Sequence, residues 1–262
     1  MSAHNRTLSI QCGKIVYPPP HKISEYPSIE EGFVKSPNST FIVRKCKEFD
    51  ATAVMKGIEK KAATGYTVSA NTQYDEHCEK STDGLPLKKL LADYKNNTLG
   101  FKILNSVTHI IDLPQVLLDY HKPVIPTTVI PTTVTPTTEE PLLQSIILSP
   151  VGKTTLHLDV VEYGGVFMYL CEGEKEWSFM EPIQNMPALY DAKNRRLFDK
   201  ELPCHARTEG GDFVYFPPGE LHRVVTTKKM IGISGYIVLE ACSDRRKKLL
   251  KFLEDYDITG II

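Results

Sequence analysis

Two histidines and one aspartate have the residue types and the spacing of a metal site. His157 and Asp159 are separated by one residue, and His222 follows a Pro-Pro-Gly-Glu-Leu segment farther along the chain. Side chains at positions i and i+2 of a strand project from the same face, so His157 and Asp159 could point into one cavity. Two neutral imidazoles and one carboxylate form the 2-His-1-carboxylate triad that suits non-haem Fe(II) and leaves coordination positions open.

The His-x-Asp pair alone is a weak signal. The chain has eight histidines, and composition predicts about one His-x-acid spacing by chance. A second copy does occur, His77-Cys78-Glu79, within the polar stretch TQYDEHCEKSTDG. That stretch shows no strand pattern that would hold a ligand rigidly, and we interpret the second copy as a surface coincidence.

Lys175 and Thr154 could hold the far end of a 2-oxo diacid bound at such a metal. A 2-oxo acid can take two of the open positions and O₂ the third, and the distal carboxylate then needs a cation. Lys175 lies on a strand that we predict to begin after a tight Gly-Glu turn, and Thr154 lies on the predicted strand of His157. A single lysine is most often solvated and a single threonine is most often a β-former. Their register with the downstream histidine favours the functional interpretation.

The chain from residue 142 onward favours an antiparallel sandwich or barrel. Short β-rich runs alternate with Gly/Pro turns and are not separated by long helices. The runs are LLQSIILS, TTLHLDVV, VFMYLC, EWSFM, DFVYFPP, LHRVVT and MIGISGYIVL. The final segment, CSDRRKKLLKFLEDYD, predicts an amphipathic helix whose Leu249, Leu250 and Phe252 cover the barrel.

The first half of the chain predicts supporting elements. Residues 1–49 form a polar extension that adds edge strands at KIVY and TFIVRKC. Asp50 is a plausible N-cap for a helix through ATAVMKGIEKKAA, and PLKKLLADYKNN predicts a second helix that begins with Pro86 in its first turn. We predict a strand in FKILNSVTHIIDLP and one more helical stretch in PQVLLDYHK. Prolines recur through residues 123–141, which predicts a surface loop within a domain spanning residues 50–262.

Composition narrows the class of protein and its compartment. The formal net charge of −1 gives no long-range field for nucleic acid or anionic lipid. No apolar run is long enough to span a bilayer, and the start, MSAHNRTLSIQCGK, lacks the apolar run of a signal peptide. The six cysteines contain no C-x-x-C pair, so reduced thiols are expected rather than a disulfide framework. The expected location is intracellular, either nuclear or cytoplasmic.

The motifs together resemble the JmjC family of 2-oxoglutarate oxygenases, a branch of the cupin superfamily. The matching pattern is Thr-x-x-His-x-Asp from Thr154, then Gly-x-Lys ending at Lys175, then Gly-Asp, an apolar strand and Pro-x-Gly-x-x-His ending at His222. It covers about residues 142–240. The Tyr-Gly-Gly and Gly-Glu-Lys elements and the GISGYI strand are similar to the plant-homeodomain-linked histone-lysine demethylases.

The resemblance implies a mainly β fold, a double-stranded β-helix or jelly-roll barrel with flanking helices, N-terminal helical support and a C-terminal helix. It implies Fe(II) at His157, Asp159 and His222, with 2-oxoglutarate and O₂ as co-substrates. It implies 2-oxoglutarate contacts from Thr154 and Lys175. Its usual tyrosine before the lysine aligns with Met168, which makes the adjacent Tyr169 the candidate for that contact, and its usual late asparagine is replaced by Tyr236.

Several functions are compatible with these residues. The expected enzyme hydroxylates a C–H bond of a protein substrate, and a methylated histone tail is one candidate because hydroxylation of an N-methyl group leads to demethylation. A protein or small-molecule hydroxylase without demethylase activity is the alternative in the same chemical class. A non-catalytic JmjC-like scaffold and a metal cupin that uses no 2-oxo acid are the others. The intact triad disfavours the scaffold, and Lys175 disfavours the simple metal cupin.

Overall fold

The computed structural model describes residues 9–11, 14–16, 23–74, 78–100, 102–105, 111–121, 144–157, 159, 164–180 and 203–255. The proline-rich segment 123–141 and the second motif copy at His77 lie outside these ranges. The helices are α1 (Ile29–Lys35), α2 (Ala51–Ala63), α3 (Leu87–Lys95), α4 (Gln115–Tyr120) and α5 (Ser243–Asp255). None of the described helices has the length and apolar composition needed to cross a bilayer.

The strands of the described residues are mostly antiparallel. Their bounds are β1 (Ser9–Gln11), β2 (Lys14–Val16), β3 (Ser24–Tyr26), β4 (Phe41–Val43), β5 (Thr67–Tyr74), β6 (Cys78–Pro86), β7 (Lys102–Asn105), β8 (Gln144–Ser149), β9 (Gly152–His157), β10 (Gly165–Met180), β11 (Ala206–Glu209), β12 (Phe213–Phe216) and β13 (Leu221–Ile237). β1 pairs only with β2, whereas the other eleven described strands form one hydrogen-bonded sheet.

Two long strands fold this sheet onto itself. The first part of β10 and the last part of β13 lie between β12 and β8. The second part of β10 and the first part of β13 lie between β11 and β9. Strands that pass from one sheet to another make the corners of a sandwich or barrel. The mainly β, jelly-roll fold expected from the sequence is therefore confirmed.

β10 changes sheets at an irregular segment around Gly173. The pairing with β13 shifts between Leu170 and Glu172, between Glu172 and Glu174, and again before Lys175. Gly173 has a φ of 93°, which side-chain-bearing residues rarely adopt. The sequence predicted two strands separated by a turn here. The structure instead has one bulged strand, because the flanking residues continue to pair with β13 through the irregularity.

Two apolar clusters lie on opposite faces of β10. Its residues Val166, Met168 and Leu170 join Trp177 and Phe179 in an inner cluster, which is enclosed by the two halves of the jelly roll. The residues between them, Phe167 and Tyr169, join an outer cluster with helices α1 to α4. This alternation is the two-residue period of a strand that is buried on both faces.

The supporting helices follow the sequence prediction closely. The side chain of Asp50 accepts hydrogen bonds from the backbone N–H groups of Thr52 and Ala53, so it caps α2 as expected. Pro86 immediately precedes α3, and α4 forms within the predicted PQVLLDYHK segment. Within α5, Leu249 is fully buried and Leu250 partly buried, whereas the side chain of Phe252 lies outside the described set.

Two segments differ from the sequence prediction. Residues 72–74 and 78–84, from a stretch expected to lack strand structure, belong to the antiparallel pair β5 and β6. The N-terminal segment contains a helix, α1, that was not predicted, and Ile29 and Phe33 of this helix are buried in the outer cluster. Polar strands and short helices escape pattern analysis because pairing with distant segments decides them. The domain boundary at residue 50 remains a prediction.

Candidate metal centre

The three predicted metal ligands converge at the edge between β9 and β13. His157 and His222 lie directly opposite each other on these strands, with ring centroids 4.1 Å apart. Directly opposed residues of an antiparallel pair project from the same face. The Nε2 atoms of His157 and His222 lie 3.7 and 3.6 Å from the two carboxylate oxygens of Asp159. One ligand atom from each of the three residues lies within 4.8 Å of the others.

These spacings fit a transition-metal ion. A bond from metal to nitrogen or oxygen is about 2.1 Å long, so one ion can bridge donors up to about 4.2 Å apart. The two separations between histidine nitrogen and Asp159 oxygen, 3.7 and 3.6 Å, are within that limit, and the donor set is that of the facial triad of non-haem iron. Asp159 lies two residues beyond the end of β9, so it reaches the site from the segment after the strand.

Each histidine is oriented by a carbonyl of its own segment. Nδ1 of His157 lies 2.8 Å from the carbonyl oxygen of Thr155, and Nδ1 of His222 lies 3.0 Å from that of Glu220. A proton on Nδ1 that donates to the carbonyl leaves the Nε2 lone pair available to a metal. Both Nε2 atoms are the ones nearest Asp159.

Burial keeps His222 in the form that binds metal. His222 is almost fully buried, and this burial lowers its pKa to about 4, with a further contribution from the neighbouring His157. The imidazole is therefore neutral near pH 7, as coordination requires. Phe216 packs against it with ring centroids 4.5 Å apart, and Trp177 and Phe179 lie slightly farther away. These rings give the site an apolar wall.

Lys175 projects from the same face of the sheet as the triad. It is separated from His222 by one intervening pair of opposed residues on that face, Trp177 and Val224. On β10, Phe179 pairs with His222, Trp177 with Val224 and Lys175 with Thr226. Residues 175, 177 and 179 alternate in phase, so their side chains share one face of the strand. The side chain of Lys175 is only 2% exposed, and its Nζ lies 5.5 Å from the centre of the Trp177 ring.

A bulge brings Thr154 to that face as well. β13 advances by two residues from His222 to Val224, whereas β9 advances by three from His157 to Thr154. In a regular strand, residues three apart project from opposite faces. The extra residue in the bulge shifts this alternation, so Thr154 and His157 project from the same face. Thr154 is buried opposite Val224, between the row of the triad and the row of Lys175.

Tyr169 is not brought to the triad. It lies in the outer cluster, where its ring stacks on Phe49 with centroids 4.5 Å apart. Its neighbour Met168 belongs to the inner cluster with Trp177 and Phe179. The bulge around Gly173 shifts the two-residue alternation of β10, so Met168, and not Tyr169, lies on the face that carries Lys175.

Two threonines next to Lys175 were missed by the sequence analysis. Thr208 on β11 and Thr226 on β13 lie directly opposite Lys175, one on each side, and both are buried. The Thr208 hydroxyl accepts a hydrogen bond from the Trp177 indole N–H at 2.7 Å, and the Thr226 hydroxyl pairs with that of Ser149. Only strand pairing identifies them, because neither lies in a recognisable motif.

One region of the chain matches the model of a known protein family. Residues 140–241, less than half of the chain, match the model of the JmjC domain family. No curated protein matches the chain. Similar solved structures include the ribosomal oxygenase YcfD from Escherichia coli, at 14% identity and a TM-score of 0.47, covering 88% of this chain and 56% of that one. A second E. coli ycfD structure gives 13% identity and 0.46, covering 88% and 58%.

This chain thus spans a little over half the length of those two structures. The family match begins just before β8 and ends just after β13, so it includes His157, Asp159, Lys175 and His222. It coincides with the region, about 142–240, in which the sequence motifs occur. Residues 140–241 of the chain are thus similar to the JmjC domain family.

Proposed function

We propose that this protein is an Fe(II)- and 2-oxoglutarate-dependent oxygenase that hydroxylates a C–H bond of a protein substrate. His157, Asp159 and His222 would hold the iron, and Lys175 and Thr154 would hold the distal carboxylate of 2-oxoglutarate. The single observation that carries this proposal is the buried amine of Lys175 on the face of the metal triad. The JmjC domain match over the same residues supports it.

Lys175 is a buried amine without an anionic partner among the described residues. Within the described part of the chain, no hydrogen bond or ion pair reaches its Nζ, and Asp159 acts on it only at a distance. Burial lowers the pKa of Lys175 to about 7, and the Asp159 carboxylate partly opposes this effect. A buried charge is costly unless an opposite charge compensates it. A ligand carboxylate would supply that compensation.

The distance between Lys175 and the triad suits a five-carbon diacid. Four residues of extended strand separate Lys175 from Phe179, which pairs with His222, and that corresponds to about 13 Å. The Lys175 side chain would cover part of this distance, and a 2-oxo diacid held at the triad would cover the rest. Three threonines lie along this path: Thr208 and Thr226 pair with Lys175, and Thr154 pairs with Val224, between Lys175 and the triad.

The chain's own residues would bind the metal and 2-oxoglutarate, orient them and exclude water from the site. When bound, Fe(II) with 2-oxoglutarate and O₂ supplies oxidative decarboxylation to succinate and CO₂ coupled to C–H hydroxylation. The Nε2 atoms of His157 and His222 and the Asp159 carboxylate leave one side of the metal position open for these ligands. The rings of Trp177 and Phe216 keep bulk water from the inner side of the site.

The fate of the hydroxylated carbon separates the two enzymatic alternatives. An ordinary carbon keeps its hydroxyl, whereas a hydroxylated N-methyl carbon is released as formaldehyde. The JmjC domain match is compatible with stable hydroxylation and with demethylation. Tyr236 occupies the position where the plant-homeodomain-linked demethylases usually have asparagine. We propose stable hydroxylation. Formaldehyde released from methylated histone peptides, with loss of methyl groups by mass spectrometry, would instead establish demethylation.

The proposal is tested by 2-oxoglutarate binding to the protein loaded with Mn(II), a redox-stable substitute for Fe(II). Lys175→Met should weaken 2-oxoglutarate binding by about 10- to 100-fold, as expected for loss of a buried charge-assisted contact, and leave Mn(II) affinity unchanged. Lys228→Met is the matched control, because Lys228 is an exposed lysine on the same sheet that pairs with Glu174. Absence of 2-oxoglutarate binding at millimolar concentration by folded, metal-loaded protein would refute the oxygenase.

A further inference from the structure

We propose that Arg245, on the C-terminal helix α5, is a positioning residue for the metal ligand His222. The guanidinium would fix the turn that carries His222 and thereby set the direction of its Nε2 atom. This inference rests on the proposed function, since it presupposes that a metal binds at the triad. It concerns a contact between the region of the family match and a helix that lies beyond it.

Arg245 contacts the turn at two points. Its Nη2 lies 2.9 Å from Oε2 of Glu220, and its Nε donates to the carbonyl oxygen of Pro218 at 2.8 Å. The exposed fractions of the two side chains are 15% for Arg245 and 5% for Glu220, so the ion pair is largely shielded from water. Hydrogen bonds between charged groups are shorter and stronger than neutral ones, and a planar guanidinium holds its partners in a fixed direction.

Glu220 connects this ion pair to the metal ligand. Its side chain is held by Arg245, and its backbone carbonyl oxygen lies 3.0 Å from Nδ1 of His222. A shift of Glu220 would therefore move the acceptor that orients the imidazole. Hydrogen-bond partners of ligating histidines fix the tautomer and the ring direction, and their loss typically weakens metal binding by about 10- to 100-fold.

The same helix also packs against the turn through an apolar contact. Gly219 has a φ of 71°, and a Cβ atom built there would lie 1.8 Å from Cδ2 of Leu249. Leu249 is fully buried in this contact. The contact contributes to docking of α5 but involves neither Glu220 nor its carbonyl. Leu249→Ala therefore provides a variant that loosens the helix without removing the ion pair.

The other histidine ligand is oriented independently of α5. His157 relies on the carbonyl of Thr155, which lies within its own strand, β9. Loss of the Arg245 contact should thus disturb one ligand of three. That predicts weakened metal binding rather than its abolition, and it distinguishes the effect from removal of a ligand itself.

The test is a Mn(II) titration of the full chain, followed by the electron paramagnetic resonance signal of free Mn(II). Arg245→Met should weaken Mn(II) binding by about 10- to 100-fold. Arg245→Lys should recover part of this loss, because an amine can still pair with Glu220. Lys248→Met, at an exposed position of the same helix, should bind Mn(II) like the wild type. Denaturant unfolding of the metal-free proteins measures stability in parallel.

Leu249→Ala decides between positioning and general destabilisation. If Arg245 positions His222, Leu249→Ala should lower stability while Mn(II) affinity stays at the wild-type value. Unchanged Mn(II) binding in Arg245→Met, or equal losses of affinity in both variants at equal stability, would overturn the inference. If Arg245→Met does not fold, Glu220→Gln carries the test, because it keeps the carbonyl and weakens the ion pair.

Failure of the proposed function would give a different result. Wild-type protein that does not bind Mn(II), or binding that survives His157→Ala and His222→Ala, would refute the metal site and the role of Arg245 together. Wild-type binding that the triad variants lose but Arg245→Met retains would refute the role of Arg245 alone.

Discussion

At the scale of single residues, Lys175 makes 2-oxoglutarate binding depend on pH. The protonated amine is the form that attracts a carboxylate, and burial brings its pKa down to about 7. Below this pH the cation is present before the ligand arrives. Above it, binding must take up a proton, which costs up to about 1.4 kcal/mol per pH unit.

We therefore expect the affinity of Mn(II)-loaded protein for 2-oxoglutarate to fall between pH 6.5 and 8.5, as calorimetry can measure. Mn(II) affinity determined at each pH corrects for any change in metal occupancy. The residual binding of Lys175→Met should lack this decline. An affinity in the wild type that stays constant or rises over the range would contradict a pKa of Lys175 lowered by burial.

Most of the residues predicted from the sequence to form a site are brought together by the fold. The spacing of His157, Asp159 and His222 and the position of Lys175 identified residues that the fold brings to one face. Tyr169 was assigned to that face through a one-residue choice between it and Met168. Neighbouring residues of a strand project from opposite faces, so a shift of one residue moves the predicted contact to the wrong face. Motif spacing does not determine which of the two residues faces the site.

At the scale of elements, the bulge at Gly173 determines which way Lys175 points. The φ of 93° excludes most side chains, and a Cβ atom there would lie 2.4 Å from the carbonyl oxygen of Lys229. Gly173→Ala should lower the free energy of unfolding by about 1–3 kcal/mol, the usual cost of a strained backbone position. It should also weaken 2-oxoglutarate binding, because the strand after the bulge carries Lys175.

Gly152→Ala is the matched control for this substitution. Gly152 lies on β9 with an ordinary φ, and nothing lies within 4 Å of its Cβ position. The free energy of unfolding of Gly152→Ala, measured with denaturant, should stay within about 0.5 kcal/mol of the wild-type value. Equal stability of Gly173→Ala and Gly152→Ala would show that the bulge is not needed.

The long strands could not be predicted as single elements. β10 and β13 each contain an internal break in their apolar pattern, and the sequence analysis divided each of them in two. Their continuity comes from pairing across the sheet, for example between Lys175 and Thr226. Helices such as α2 were predicted more closely, because a cap and a local apolar stripe specify them without distant partners.

At the scale of the whole molecule, α1 and β4, which precede residue 50, contribute buried residues to the outer cluster. β4 pairs with β12, and Ile29 of α1 is fully buried. Ile29→Ala should cost about 2–5 kcal/mol of stability, as for other large-to-small changes in a core, in a single denaturant transition. Val34→Ala, on the same helix but 65% exposed, should cost less than about 0.5 kcal/mol.

These two variants also test where the domain begins. A separate N-terminal unit would give Ile29→Ala an early, partial transition and leave the main one unchanged. One shared transition would place α1 and the region of the family match in the same cooperative unit. Composition described residues 1–49 as a polar extension, and the burial of α1 could not be inferred, because its partners are distant in sequence.

The most direct test of the central claim is conversion of 2-oxoglutarate to succinate by the purified protein with Fe(II) and ascorbate under air. Labelled 2-oxoglutarate and mass spectrometry would measure the succinate formed. We expect production above background that is lost in His157→Ala and in His222→Ala, with both variants still folded. Succinate formation that is absent from the wild type, or equal in the wild type and these variants, would contradict an oxygenase at this triad.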